Sequence, residues 1–208
     1  MKKIKKKIMI VDYKLNNLFS IKNALDFLGY EAFISSDPDL LKKTDFVVLP
    51  GIGSFPEGMK KLHKLNLVNP LKNFISSGKK FMGICLGFQM LFQESSEFVN
   101  TKGLGVIKGK VKKLNGNKKF LRIPHIGWNK IEIMNNYKRE VSFQKKYFYF
   151  VHSFYAIPNN KNEIFSLTKY ENIKFCSSIK KNNIFACQFH PEKSGIAGLK
   201  LIKSFFGN

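Results

Sequence analysis

The apolar run Phe81-Met-Gly-Ile84 leads straight into Gly83-Ile-Cys85-Leu-Gly87, and from there into a run with helical spacing, Phe88 to Phe92. A turn this tight needs its glycines. Joining a buried strand to a helix, it lifts the central residue above the carboxyl edge of a sheet. The rest of the first half suits such a sheet. Ile8 to Val11 reads as a buried strand, followed by the polar turn Lys14 to Asn17. Leu18 to Leu28 has helical spacing and stops at Gly29; Ala32 to Ile34 and Phe46 to Leu49 read as strands, and Leu62 to Ile75 as one amphipathic helix. Strand and helix alternating in this way predict parallel βαβ units.

The second half changes character. Val106 to Leu114, Ile131 to Met134, Tyr147 to His152, Ile164 to Leu167, Phe175 to Ile179 and Ile184 to Phe189 are short aromatic or β-branched runs. Turn residues separate them, among them Asn115-Gly116-Asn117 and Pro158-Asn159-Asn160, which predicts mostly antiparallel additions. Ala197 to Phe206 reads as a closing helix. The expectation is one α/β domain over residues 1–208. Its mixed, mostly parallel sheet is flanked by helices and carries antiparallel strands in the second half.

Composition narrows the function. The formal charge is +22, which invites nucleic acid, but Arg122 and Arg139 are the only arginines and the company is Lys, Asn, Ile and Phe. That pattern reads as a compositional bias of the whole chain. No zinc-finger spacing, basic heptad or aromatic RNA-binding strand accompanies it, so nucleic acid is not the expected partner. Three cysteines, Cys85, Cys176 and Cys187, imply no disulfide framework. The apolar run near the amino end, Ile8 to Val11, is too short for a signal core or a membrane span, so a cytoplasmic protein with no membrane partner is expected. No His/Cys cluster has metal spacing and no dinucleotide fingerprint follows the first strand; no metal and no cofactor are expected.

Cys85 is the candidate nucleophile. An isolated Cys is more often a core residue, and Cys176 and Cys187, inside apolar strands, are read as core. At Cys85 the glycine-flanked strand end favours chemistry, and the helix start behind it favours a thiolate and offers N–H groups to an oxyanion. A thiol nucleophile needs a base. Of His63, His125, His152 and His190, the last stands directly after a strand in His190-Pro191-Glu192. Glu192 can reach back and orient the imidazole, completing nucleophile, base and orienter. His63 is read as surface, and His125 and His152 as structural or partner-facing. A thiol hydrolase or peptidase acting on another substrate, or a basic binding module, remain readings of these residues alone.

These motifs together resemble the class I, triad-type glutamine amidotransferases, and within them the glutaminase subunits of imidazole glycerol phosphate synthase from histidine biosynthesis. The matching segments are Val11-Asp-Tyr13, Leu49-Pro-Gly-Ile-Gly53, Gly83 to Gln89, Gly103-Leu-Gly105, Pro124 to Asn129, Phe150-Val-His-Ser153 and Gln188 to Gly195. The resemblance implies that Cys85, His190 and Glu192 hydrolyse the side-chain amide of L-glutamine. It also implies an oxyanion site from the N–H of Leu86 and from Gly51, Ile52 and Gly53. Gln89 and Glu97 would hold the substrate's α-amino end, and main chain near Ser153 and Phe154 its carboxylate. Ammonia would pass to a (β/α)8-barrel synthase partner in a heterodimer, with Asp12, Lys14, Asn17, Trp128 and Lys193 at the interface. That partner closes the imidazole ring and releases an aminoimidazole carboxamide ribonucleotide. In one place the pattern departs. The family's first loop reads Asp-Tyr-Gly-x-Gly-Asn, and here it is Asp12-Tyr13-Lys14-Leu15-Asn16-Asn17. Asn16 tolerates the left-handed turn better than Lys14. Related glutaminases that serve surface-polysaccharide sugar amidotransferases are the alternative.

Overall fold

The computed structural model describes residues 6–15, 17–115 and 122–207. Strands β1 (Lys7–Val11), β2 (Glu31–Ser35), β3 (Phe46–Leu49) and β4 (Phe81–Ile84) pair in parallel, in the order β2-β1-β3-β4. β5 (Phe92–Ser95), β6 (Thr101–Lys102), β7 (Ile107–Lys113) and β10 (Phe154–Pro158) form a separate four-stranded sheet, β10-β7-β5-β6. β13 (Ile184–Cys187) lies parallel beside β4; beyond it β12 (Ile173–Lys181), β11 (Ile164–Tyr170), β8 (His125–Ile133) and β9 (Tyr147–His152) continue antiparallel. The large mixed sheet therefore has nine strands.

Strand periodicity explains how helices cover both faces. Side chains alternate along a strand. Met9 and Val11 of β1 and Leu49 of β3 join one core, with Met59 and Leu62 of α2 (Phe55–Lys64) and Leu71 and Phe74 of α3 (Val68–Ser76). Ile8, Ile10 and Val48 face the other core, with Ile21 and Leu25 of α1 (Leu18–Phe27) and Leu201 and Phe206 of α5 (Gly195–Phe206). The parallel strands all end at one edge. That edge carries Asp12 to Leu15 after β1, Pro50 to Ser54 after β3, Cys85 after β4 and Gln188 to Glu192 after β13, the usual place for a ligand in such a sheet.

Two helix expectations need correction. The span read as one helix, Leu62 to Ile75, is the end of α2 and the start of α3, broken where Asn66 takes φ +53°. The break closes on itself, because Leu67 N–H donates to Leu62 O. The start at Phe55 was legible in Pro56 and Glu57, which suit a first turn. The run Phe88 to Phe92 is helical only at its start: α4 is Leu86–Gln89, and Phe92 opens β5. The Met90 carbonyl there accepts from Leu104 N–H, so the chain leaves the helix for the small sheet, which the sequence did not separate from the main one. Asn16 and most of the turn expected at Asn115 to Asn117 lie outside the described residues. No described helix is long and apolar enough to cross a membrane.

A close approach fixes the β3–α4 junction. A Cβ on Gly87 would stand 1.8 Å from the Leu49 carbonyl oxygen and 2.7 Å from its carbon. Gly87→Ala must therefore displace backbone, at about 1–3 kcal/mol or more. Gly58→Ala in α2 is the control, because its Cβ would meet the movable Met90 sulfur at 2.8 Å. Chemical denaturation of both variants should show the larger loss for Gly87→Ala. Equal losses would mean that the junction yields freely.

Candidate active site

Cys85 follows β4 with φ +52° and ψ −107°, a conformation that costs a non-glycine residue about 1–3 kcal/mol and persists only where the surroundings enforce it. They do so here. Cys85 N–H donates to Cys187 O at 2.8 Å, and the Cys85 carbonyl accepts from Gln89 N–H at 3.1 Å. A Cβ on Gly83 would meet the Gly87 carbonyl oxygen at 3.1 Å, so both flanking glycines are set by close packing. The thiol is nearly buried, 3.8 Å from Val151 O and 3.6 Å from Gln188 Nε2.

His190 comes from the bend after β13. Its N–H donates to Tyr149 O at 2.9 Å, and Ser194 Oγ donates to His190 O at 2.6 Å while accepting from Tyr149 N–H at 3.0 Å. The base is thereby tied to β9 as well as to its own strand. His190 Nδ1 lies 2.8 Å from Glu192 Oε1, with both side chains buried. A carboxylate accepts only, so Nδ1 carries the proton and Nε2 is left for the sulfur. Burial opposes charging this imidazole, but the Cys85 sulfur and the Glu192 carboxylate outweigh it and raise His190 to about 10. The site can thus hold a proton taken from the thiol. Cys176 and Cys187 are buried, as expected of core residues, and desolvation raises both thiols.

A cavity of about 240 Å³ opens beside Cys85, lined among others by Leu86, Gln89, Glu97, Ser153 and Phe154. All four side chains or main-chain positions named for the substrate therefore border one space with the nucleophile. Gln89 Nε2 donates to Phe154 O and to Gln188 Oε1, both at 2.9 Å. Glu97 Oε2 accepts from Phe55 N–H at 2.7 Å and so caps α2 from across the cavity. Burial raises the Glu97 carboxyl, and this bond offsets part of the shift. Gln188 and Ser194, which join these groups, lie in the matching segment Gln188 to Gly195, but the sequence assigns neither a role. Their place beside His190 was the available signal.

The candidate oxyanion donors are in a resting arrangement. Leu86 N–H is turned to Gly51 O at 3.4 Å, and Ile52 N–H donates to Leu15 O at 3.1 Å. Tyr13 fills the space beside Gly51, where a Cβ would stand 1.8 Å from its hydroxyl. In the loop after β1, Lys14 itself takes the left-handed conformation that its residue type disfavours, φ +67°. Asp12 makes this tolerable by accepting from Lys14 N–H at 2.9 Å and from Lys14 Nζ at 2.6 Å. Partial burial raises the Asp12 carboxyl, and the Lys14 bonds and charge more than reverse that. Lys14, Asn17, Trp128 and Lys193 are all exposed. Trp128 packs its edge on Tyr149 at 5.9 Å, and Ile126 beside it is 58% exposed, so the β8–β9 hairpin carries an apolar outer face.

Comparison with known proteins agrees with this geometry. Residues 9–207 match the family model of glutamine amidotransferase class-I. The chain belongs to that family of α/β enzymes. Within it, the chain belongs with the HisH subunits of imidazole glycerol phosphate synthase. It is 44% identical over 204 residues to the HisH of Caldanaerobacter subterraneus subsp. tengcongensis, covering 95% of this chain and 96% of that one. The HisH of Pyrococcus furiosus is likewise 44% identical, covering 96% and 97%. Among solved structures, PurLQS from Thermotoga maritima shares the fold with a TM-score of 0.74 at 18% identity, covering 98% of each chain. A further solved glutamine amidotransferase does so at 0.71 and 17%, covering 95% of this chain and 96% of that one.

The thiols differ enough for a chemical test. Brief treatment with iodoacetamide near neutral pH should alkylate Cys85, which borders the cavity, and spare Cys176 and Cys187 in the folded chain. Peptide mass spectrometry reads the sites. Equal modification of all three would contradict the assignment of Cys85.

Proposed function

We propose that this chain is the glutaminase subunit of imidazole glycerol phosphate synthase, with Cys85, His190 and Glu192 as its catalytic triad. The observation that carries the triad is the His190–Glu192 bond at 2.8 Å, with the remaining imidazole nitrogen left for the sulfur at a strained strand end. Cys85 Sγ attacks the side-chain amide carbon of glutamine as its proton moves to His190 Nε2. The new C–S bond drives the amide oxygen negative, and N–H groups of Leu86 and of the Gly51–Gly53 segment hold that charge. When the C–N bond breaks, His190 gives its proton to the leaving nitrogen, which departs as ammonia. Water then attacks the glutamyl thioester, His190 takes a proton from it, and glutamate leaves as the thiol reforms. Glu192 keeps Nδ1–H in place throughout.

Gln89 and Glu97 take the substrate's α-amino end in this reading, and main chain at Ser153 and Phe154 its carboxylate. The barrel synthase docks as a heterodimer on Asp12, Lys14, Asn17, Trp128 and Lys193 and receives the ammonia. The histidine-pathway partner is favoured over a surface-sugar amidotransferase because the relatives that cover nearly the whole chain are named as HisH subunits.

The occupied oxyanion donors support partner control. With Leu86 N–H on Gly51 O and Ile52 N–H on Leu15 O, the charge formed during attack lacks two of its holders. One missing donor is worth about 10²–10³ in rate. Glutamate release should therefore be slow for the chain alone and rise by at least the factor of one donor, about 10²–10³, with the barrel synthase and its nucleotide ligand. Cys85→Ala should abolish it in both settings. A lone chain already turning over at the rate of the complex would remove the case for partner control. Undiminished activity of Cys85→Ala would remove the triad.

A further inference from the structure

Two buried histidines lie outside the triad. His125 of β8 and His152 of β9 sit opposite each other in the hairpin, with His125 Nδ1 3.0 Å from His152 Nε2. His152 Nδ1 lies 2.8 Å from Phe154 O, and Asn129 Oδ1, an acceptor, lies 2.7 Å from His125 Nε2. A carbonyl oxygen can only accept, so the proton of His152 is on Nδ1, and its Nε2 lies against His125 Nδ1. Burial lowers both imidazoles, and with the neighbouring His125 it takes His152 down to about 3, so His152 stays neutral. His125 is clamped further by rings, stacked at 3.9 Å on Tyr170 and 4.9 Å on Phe150.

The end of this chain is a main-chain position facing the substrate cavity. Leu114 N–H donates to Ser153 O at 2.8 Å, which extends the β7–β10 ladder by one pair. In an antiparallel ladder the N–H and C=O of the next residue, Phe154, then face away from β7. The carbonyl on that side takes two bonds, from His152 Nδ1 and from Gln89 Nε2. Both of its lone pairs are used, and the peptide plane is fixed. The N–H of Phe154 belongs to the preceding peptide, whose Ser153 carbonyl is held by Leu114 N–H; it faces away from β7 on the same side as the carbonyl of Phe154, which lines the cavity with His152 and Cys85.

We propose that His152, braced by His125, is a positioning residue for glutamine. It pins the Phe154 carbonyl so that the adjoining main-chain N–H groups are aligned to receive the substrate's carboxylate. This rests on the glutaminase reading above. The pair also joins the cavity to the hairpin strand whose opposite face carries Ile126 and Trp128, so the brace and the exposed apolar face are one rigid piece.

The test measures glutamine binding apart from turnover. Glutamine should protect Cys85 from iodoacetamide, and the half-protecting concentration reports affinity. In His152→Ala that concentration and KM should both rise about tenfold, the loss of one buried hydrogen bond, with kcat within about threefold. His152→Asn places an amide N–H near the lost Nδ1 and should return both to within about threefold of the native chain. His125→Phe keeps the ring packing, removes the brace together with the Asn129 contact, and should give a smaller rise in both quantities than His152→Ala. Unchanged affinity in His152→Ala, or a fall in kcat alone, would overturn the proposal. So would an equal defect in His152→Asn with a native melting temperature. If glutamine does not protect the native chain at all, the glutaminase reading falls and this inference with it.

Discussion

The contact between Gly87 and the Leu49 carbonyl sets the rest of the site. β4 lies between β3 and β13, so its end is walled on both sides. The helix that follows can begin only by pressing its first turn onto the end of β3, where no Cβ fits at residue 87. That close approach leaves Cys85 as the one residue between strand and helix, with φ forced positive. The strain is local, and the energy that maintains it comes from the parallel pairing on both sides and from the apolar layers above and below the sheet. The same pairing, Ile84 opposite Cys187, aligns the ends of two strands far apart in sequence. It brings Gln188 to the thiol and leaves His190 one bend away.

The base is held by a different logic. Ser194 ties the His190 carbonyl to β9, so the antiparallel half of the sheet also positions His190, the proposed base. Buried polar groups around the cavity are joined in series: Phe154 O to Gln89, Gln89 to Gln188, Gln188 to the sulfur. Such a series rigidifies a site when its members are satisfied. The oxyanion segment is the exception. The Ile52 N–H of the proposed oxyanion segment and the Leu86 N–H are bonded to protein carbonyls, an arrangement that suits the proposed partner control. Leu15, whose carbonyl holds Ile52 N–H, follows directly on Lys14 in the exposed loop after β1.

Much of this was legible in the sequence because the chemistry there is local. The turn at Cys85 is written in five residues, and the orienter of His190 stands two residues after it. The parallel strands could be read because both their faces are buried and the runs are continuously apolar. What escaped depended on contacts across the fold. Asn66 breaks a span whose apolar spacing runs on unchanged, and Met90 leaves its helix for a bond from Leu104. The capping of α2 by Glu97 joins residues 42 apart. Lys14 takes a backbone conformation that its residue type disfavours, and only the Asp12 carboxylate beside it explains why. The sequence places His125 and His152 in two matching segments but marks them only as structural or partner-facing, because their meeting depends on the register of the hairpin.

The central claim is covalent: glutamine is cleaved through a thioester on Cys85. Rapid acid quench of the complex during turnover, followed by peptide mass spectrometry, measures this directly. The account predicts a glutamyl adduct on the peptide containing Cys85 and on no other, lost when Cys85 is replaced by Ala. Steady release of glutamate with no adduct on that peptide, or with the adduct on another residue, would contradict it.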